Sequence, residues 1–405
     1  MAVMARSSDD TSARPSRPGE RRLEELVGQI ALVDHHCHGI VRGPLDRAGF
    51  ESLLCEADAP GRWHGTLFDT QVGLAVRRLC GPVLDLPAHA PADDYLARRA
   101  ELGPDEVARR LLRGAGISEF FVDTGFRPDG LTSPDELAAC AGASAREIAR
   151  LESVAERVIA VHGAGDFVEA CRDRLAAAAA TAIGFKSIAA YRVGLDLAPE
   201  RPPTNQVAAA AARWAAGIER GAPIRMADET LIRFLIWTAV DLGRPIQFHT
   251  GFGDADADLG RCDPLLLAPL LRATAGRGVP IMLLHTYPFH RNAGCLAQVF
   301  DHVFVDVGLA VQNVGSRAGQ VVAELLELAP FGSVLFSSDG YGLPELFHVS
   351  AMLFRRALSD FLAAGVDGDA WSERDAERIA YLIAAENARR AYGLDDGGAG
   401  RGSLA

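Results

Sequence analysis

Short apolar, β-rich runs alternate with longer helical patterns along this chain, and that order restricts the available folds more than any other feature. The strand-like runs are 29–38, 117–126, 156–165 ("ERVIAVHGAG"), 182–192, 244–254, 279–290, 302–310 and 332–342. Helical patterns lie between them, among them "PDELAACAGASAREIARLESVAE", "DFVEACRDRLAAAAA", "DETLIRFLIWTAVDLG", "PLLLAPLLRATAG" and "RAGQVVAELLELAP". Repeated strand–helix order predicts a parallel sheet covered by helices, an α/β fold. Eight repeats are what a (β/α)8 TIM barrel needs. The rival, a doubly wound open sheet, usually carries a glycine-rich phosphate turn after its first strand, and none occurs here.

The connection from the first run to the second, residues 39–116, is far longer than an ordinary βα loop. It has helical signals of its own ("FDTQVGLAVRRLCG", "ADDYLARRAEL", "PDEVARRLLRGAG") and a "PGRWHG" turn with Trp63 and His64. Residues 40–115 therefore read as a helical insertion or lid on the C-terminal face, where such barrels keep their active sites. Residues 346–393 read as C-terminal helices. The expected layout is a polar, disordered tail over 1–22, a barrel over 23–393 and a second disordered tail over 394–405.

Composition narrows the function. The chain has 405 residues, 49% of them hydrophobic, enough for a large core. A net charge of −12 argues against nucleic acid or an anionic membrane surface as partner. No apolar run approaches the roughly 20 residues that span a bilayer. The N-terminal stretch lacks the apolar segment of a secretory signal. Seven scattered cysteines, with no CxxC, fit free thiols in a reducing cytoplasm. Abundant Ala, Arg and Gly point to a GC-rich bacterial genome. Lys186 is the single lysine.

Polar residues gather at the strand ends. The first strand closes on "DHHCH", the fourth carries Lys186, the fifth ends in His249, the sixth in His285 and the eighth in Asp339. Alternation along a strand turns His36 and His38 to one face and His35 and Cys37 to the other, toward the helix layer. One strand-end histidine is more often a hydrogen-bonded structural residue than a ligand. His-x-His followed by His, His and Asp at the same end of later strands is a different matter. It predicts a divalent metal site with His36, His38, His249, His285 and Asp339 as ligand candidates.

"VDHHCH", "FHT", "LLHTYP" and "FSSD" together resemble the amidohydrolase superfamily of metal-dependent (β/α)8 enzymes. "GFKSIAAYRVGLDL", "LLHTYPFHRNAGCLA", "VDVGLA" and "SSDGYGLPELF" narrow the likeness to the amidohydrolase-type domain found fused to glutamine-synthetase-like domains and as stand-alone bacterial proteins. The resemblance covers roughly residues 28–393. It implies His36 and His38 as first-strand ligands, and Asp339 as a ligand that also takes a proton from the attacking water. It implies His249 as a ligand in one-metal members, and His285 as either a second-metal ligand or a catalytic histidine. It leaves Lys186 either carboxylated between two metals or free in the site. Zinc is the first expectation, with manganese or iron as alternatives, as one ion or two.

Arg192, Arg291, Tyr287, Asp254 and Glu345 follow the strand ends and are the substrate candidates. Arginine forks suit a carboxylate-bearing small molecule, although a loop salt bridge is an equal reading for each. The expected activity is hydrolysis of a C–N bond of amide type, γ-glutamyl or another carboxylate-bearing one, by a metal-activated water. Asp339 moves the proton, and His285 or Lys186 stabilises the oxyanion. A non-oxidative decarboxylase, lactonase or C–C hydrolase on the same site is the first alternative. A catalytically silent scaffold for a glutamine-synthetase-like enzyme is the second. A homo-oligomer is compatible with a barrel of this size. A nucleophilic Cys37 is disfavoured because alternation turns it away from the site.

Overall fold

The structure, a computed structural model, describes residues 18–57, 63, 65–126 and 130–394. In chain order its elements are α1 (Pro18–Gln29), β1 (Leu32–Cys37), α2 (Arg47–Ser52), α3 (Gln71–Leu79), α4 (Ala92–Leu102), α5 (Pro104–Ala115), β2 (Ile117–Asp123), α6 (Pro134–Ala141), β3 (Ser144–Arg150), α7 (Leu151–His162) and α8 (Phe167–Thr181). Then come β4 (Gly184–Ser187), α9 (Ala189–Arg192), α10 (Thr204–Glu219), α11 (Glu229–Asp241), β5 (Ile246–His249), α12 (Ala268–Thr274), β6 (Ile281–Leu284), α13 (His290–Val299), β7 (Val303–Val305), α14 (Gly308–Val314), α15 (Ala318–Leu325), α16 (Pro344–Asp367), α17 (Glu373–Tyr381) and α18 (Asn387–Ala391). No helix among the described residues is long and apolar enough to cross a membrane.

Seven strands pair in parallel, in sequence order β1 to β7, and the sheet curls into a half-barrel. Alternation divides the side chains between two cores. Leu32, Phe120, Phe185, Ile246, Leu283 and Val305 face outward into a large cluster with the helices. Val33, Phe121, Ile148, Met282, Leu284 and Phe304 face inward, where Tyr392 and Ala388 from the C-terminal end close over them. Strand register sets Arg150, Lys186, Gln247, Met282 and Phe304 in one row across this inner face.

Two expectations need correction. The run 156–165 is not the third strand: it lies in α7, and the third strand is 144–150. Buried Leu151, Val154, Ala155, Val158 and Ile159 carry helical spacing that outweighs the β-branched content. Secondly, the segment expected as the eighth strand has no regular strand assignment. It nonetheless bonds on both sides. Leu335 donates to the Val305 carbonyl at 3.0 Å, His35 to that of Phe336 at 3.1 Å, and Asp339 to that of His36 at 3.1 Å.

The connection from β1 to β2 contains helices α2 to α5. α1 begins at Pro18, inside the stretch expected as a tail. The rest of that tail, the second tail beyond Leu394, and His64 of the "PGRWHG" turn lie outside the described residues.

Candidate metal centre

Four of the five strand-end ligand candidates come from the ends of three strands, β1, β5 and β6. β1 supplies His36 and the following turn His38; β5 ends in His249, and His285 follows β6. Asp339 joins them from the segment beside β1. The imidazole rings stand close: His36 to His38 at 5.2 Å, His36 to His285 at 5.3 Å and His249 to His285 at 4.9 Å between centroids. His36, His285 and Asp339 each bring a ligand atom within 4.8 Å of the others, and so do His36, His38 and Asp123.

Hydrogen bonds fix which nitrogens are available. Gln247 donates its amide to the His35 carbonyl and the Tyr392 hydroxyl, both at 2.7 Å, which turns its oxygen to His36 Nδ1 at 2.8 Å. That oxygen only accepts, so His36 carries its proton on Nδ1 and keeps a lone pair on Nε2. The Asp123 carbonyl does the same for His38, accepting from Nδ1 at 3.2 Å. The two Nε2 atoms lie 3.1 Å and 3.6 Å from Asp339 Oδ1. His249 Nε2, His285 Nδ1 and Asp339 Oδ1 are buried with no hydrogen-bond partner. Lys186 Nζ lies 3.2 Å from His36 Nε2, a cationic group already among these atoms. Neutral imidazole nitrogens gathered around a carboxylate are the donor set a divalent transition metal takes. Asp123 is a weaker candidate, because Arg150 binds its Oδ2 through two nitrogens and Gly125 N–H its Oδ1.

Electrostatics favour the same state. Burial pushes His36, His249 and His285 well below the usual imidazole range, and the Lys186 charge adds to it. Burial lowers His38 to about 4. Burial lowers Lys186 to about 8 against the pull of Asp123 and Asp339. All four imidazoles are thus held neutral, as ligation requires.

The backbone at the site is bent into the left-handed region at three non-glycine residues: His285 (φ 67°), Thr286 (φ 48°) and Asp339 (φ 49°). Such conformations cost on the order of 1–3 kcal/mol each and persist where surroundings impose them. Two buried carboxylates do so here. Asp306 Oδ1 accepts from His285 N–H at 3.0 Å, Gly308 N–H at 2.8 Å and the Ser337 hydroxyl at 2.8 Å. Asp34 accepts from Ser338 N–H at 2.9 Å and from its hydroxyl at 2.5 Å, fixing the residue before Asp339. Burial alone would raise Asp306; the His35 hydrogen bond and charge, with the Gly308 and His285 amides, bring it below the usual carboxylate range.

Above these residues is a cavity of about 350 Å³. Its walls carry Lys186, Arg192, Asp254 and the four histidines expected at the site. Arg150, Tyr191, Arg225, Glu56 and Asp256 also line it, and sequence reasoning missed all five. The ring of Tyr191 packs on His249 at 4.2 Å. Three substrate candidates are elsewhere. Arg291 is exposed and paired with Glu327 and Glu324. Tyr287 stacks on His290, itself bound to Glu324 at 2.7 Å. Glu345 is fully buried under Arg99 at 2.8 Å and Tyr95 at 3.0 Å, holding α4 to α16.

His35 departs from strict alternation. Its partners are Asp306 at 2.9 Å and Tyr392 of the inner cluster at 3.3 Å, not the helix layer. The register of β1 against β2 shifts between Asp34 and Cys37, which frees both His35 and His36 to turn inward. Cys37 does face outward, with Sγ 3.7 Å from the Phe121 carbonyl.

The amidohydrolase sequence profile matches residues 127–394, the part of the chain that supplies Lys186, His249, His285 and Asp339. The chain belongs to the amidohydrolase family. Within that family, a Lactobacillus casei protein described as an inferred metal-dependent hydrolase is 29% identical, with a TM-score of 0.79 over 92% of this chain and 98% of that one. Protein fluG of Emericella nidulans is also 29% identical over 92% of this chain. This amidohydrolase spans about half of fluG, 47% of its length. A glucuronate isomerase from Caulobacter crescentus has a TM-score of 0.64 at 17% identity, over 94% of this chain and 96% of that one, a likeness of fold.

Proposed function

We propose that this amidohydrolase is a metal-dependent hydrolase that cleaves an amide-type C–N bond in a small, carboxylate-bearing molecule. One observation carries the reading. His36 and His38 are held with their Nε2 lone pairs toward Asp339, beside unpartnered His249 Nε2 and His285 Nδ1. The description of the Lactobacillus casei relative supports it. We also infer that residues 332–342, bonded to both β7 and β1, act as the eighth strand of a (β/α)8 barrel, and that α2 to α5 form a lid.

His36, His38, His249 and Asp339 would hold the ion, zinc first, with His285 as a further ligand or a free imidazole. A divalent ion there supplies Lewis-acid chemistry: it activates water and polarises a carbonyl. Asp339 is the proton carrier. Burial raises its carboxyl above the usual range, which suits a group that accepts a proton from water and returns it to the leaving nitrogen. Lys186 and His285 face the same space and stabilise negative charge growing on the carbonyl oxygen. Arg192, which lines the cavity with unused N–H groups, binds the substrate carboxylate.

The test has two parts. Protein purified without added metal should hold at least about half an equivalent of zinc, manganese or iron, and His36→Ala with Asp339→Asn should lose it. A panel of carboxylated amides should then release ammonia or amine. Release of CO2 instead would make the site a decarboxylase. Metal-poor protein whose activity is indifferent to both substitutions would leave only a scaffold.

A further inference from the structure

The cavity is lined by arginines and by acids, and not all of them are paired with one another. Three arginines line it. Arg150 is committed to Asp123 at 2.6 Å, and Arg225 to Asp256 at 2.8 Å. Arg192 is not used up. Its side chain is only 10% exposed and touches Glu156 at 3.3 Å, while Nε and Nη1 are buried with no acceptor. A guanidinium taken out of water with two idle donors is costly unless an anion completes it.

An acid enters from the loop after α2. Glu56 lines the same cavity and has no ion pair or hydrogen bond among the described residues. Its charged neighbours are acids, Asp339 and Asp254; burial and these charges together push Glu56 up to about 8. A cation placed beside it would reverse that shift. Tyr191, which precedes Arg192 in the chain, lines the same cavity and packs on His249.

We propose that the site selects a zwitterion: a small molecule whose carboxylate is taken by Arg192 and whose ammonium is taken by Glu56. This rests on the hydrolase reading above and narrows its substrate class to amides of amino-acid type. A volume of about 350 Å³ is at the small end for ligand pockets and suits a molecule of that size.

Isothermal titration calorimetry on the full chain tests it with matched primary amides. L-Glutamine offers both charges, glutaramate only the carboxylate, and 4-aminobutanamide only the ammonium; asparagine and its two truncated analogues repeat the set one methylene shorter. In one of the two sets the zwitterion should bind roughly tenfold or more tighter than either analogue, the weight of one charge-assisted contact. Glu56→Gln should bring its affinity down to that of the carboxylate-only analogue. Arg192→Gln should bring it down to that of the ammonium-only analogue. Equal binding of zwitterion and carboxylate-only analogue, or no binding of any, overturns the proposal, as does a Glu56→Gln variant that weakens both alike. Zinc content of the same samples separates the two ideas. Zinc without the preference removes only the zwitterion; the preference without zinc removes only the hydrolase.

Discussion

Replacing Asp306 by Asn changes one atom at a fully buried residue, and its consequences should reach the metal centre through two routes. Asp306 accepts four hydrogen bonds: three on Oδ1, from His285 N–H, Gly308 N–H and Ser337, and one on Oδ2, from His35. An asparagine can keep its oxygen on the three-donor side. Its NH2 then meets the His35 Nε2–H, donor against donor. His35 can escape by moving its proton to Nδ1, but that nitrogen faces the Tyr392 hydroxyl, which already accepts from Gln247. The strain passes on to Gln247, the residue that sets the His36 proton. The other route is direct. Without the carboxylate charge, the bond holding His285 in its left-handed conformation weakens.

A charged acceptor is worth roughly 1 kcal/mol more per bond than a neutral one, and the four bonds are not additive, so the loss of stability should be about 2–4 kcal/mol. Zinc affinity should fall about 10- to 100-fold, the usual effect of removing a group that orients ligands. Urea unfolding measures the first quantity, and competition with a chromophoric chelator the second. Leu362→Ala, a buried change in α16 at a residue that does not line the cavity, is the control; it should cost a comparable 2–5 kcal/mol and leave zinc affinity alone. An Asp306→Asn protein that binds zinc like the wild type, or a Leu362→Ala protein that loses zinc equally, would refute the reasoning.

Other expectations concern residues outside that network. Cys37→Ser should keep its metal and its rate to within about twofold, because the thiol faces the Phe121 carbonyl on the outer side; loss of activity with metal retained would put the sulfur in the chemistry. Glu345→Ala strands the buried Arg99 charge and should cost about 3–5 kcal/mol in urea unfolding; a loss under about 1 kcal/mol would show the pair does not hold α4 to α16. His348, buried on α16, is lowered by burial to about 4, below its unfolded value near 6.5. The folded state therefore prefers it neutral. Its stabilisation is complete above pH 6.5 and is lost as pH falls toward 4, a change of up to about 3 kcal/mol. Stability curves of His348→Gln should be flatter by that amount across this window; an unchanged slope would assign the acid sensitivity to other groups.

The ligand candidates were legible in sequence because each stands at the end of an apolar, strand-like run. Position at the same end of successive strands needs no knowledge of packing. Arg150 was not legible, for a definite reason. β3 reads "SAREIAR", with one large apolar residue in seven, and the adjoining helix has more β-branched residues than the strand. Once 156–165 is taken for the strand, Arg150 falls inside a helix and its pairing with Asp123 cannot be seen. Gln247 and Asp306 did carry a signal, each a polar residue within a buried strand or at its end, and Gln247 shares a face with His249 by simple alternation. Arg291 and Glu345 failed for the opposite reason. Closeness to a strand end places a residue near the mouth but does not say whether an acid or a base already occupies it, and both were taken.

The run Asp34-His35-His36-Cys37-His38 is the hardest part of the chain to read by pattern, because strict alternation gives the right answer for His36 and His38 and the wrong one for His35. Regular pleating would place His35 among the helices, a costly burial for an imidazole with no polar partner there. The register shift in β1 removes that cost by turning His35 to Asp306, and the same turn brings its carbonyl to Gln247. Each residue then meets its own partner: Asp34 the Ser338 backbone, His35 Asp306, His36 Gln247, and Cys37 and His38 the β2 carbonyls of Phe121 and Asp123. Only His36 and His38 keep a nitrogen lone pair directed at Asp339. The other polar residues of the run do not compete for a metal; Asp34 and His35 instead fix the backbones and proton positions on which the metal ligands depend. The irregular register of β1, which looks like a defect in the sheet, is what allows consecutive residues to serve both purposes.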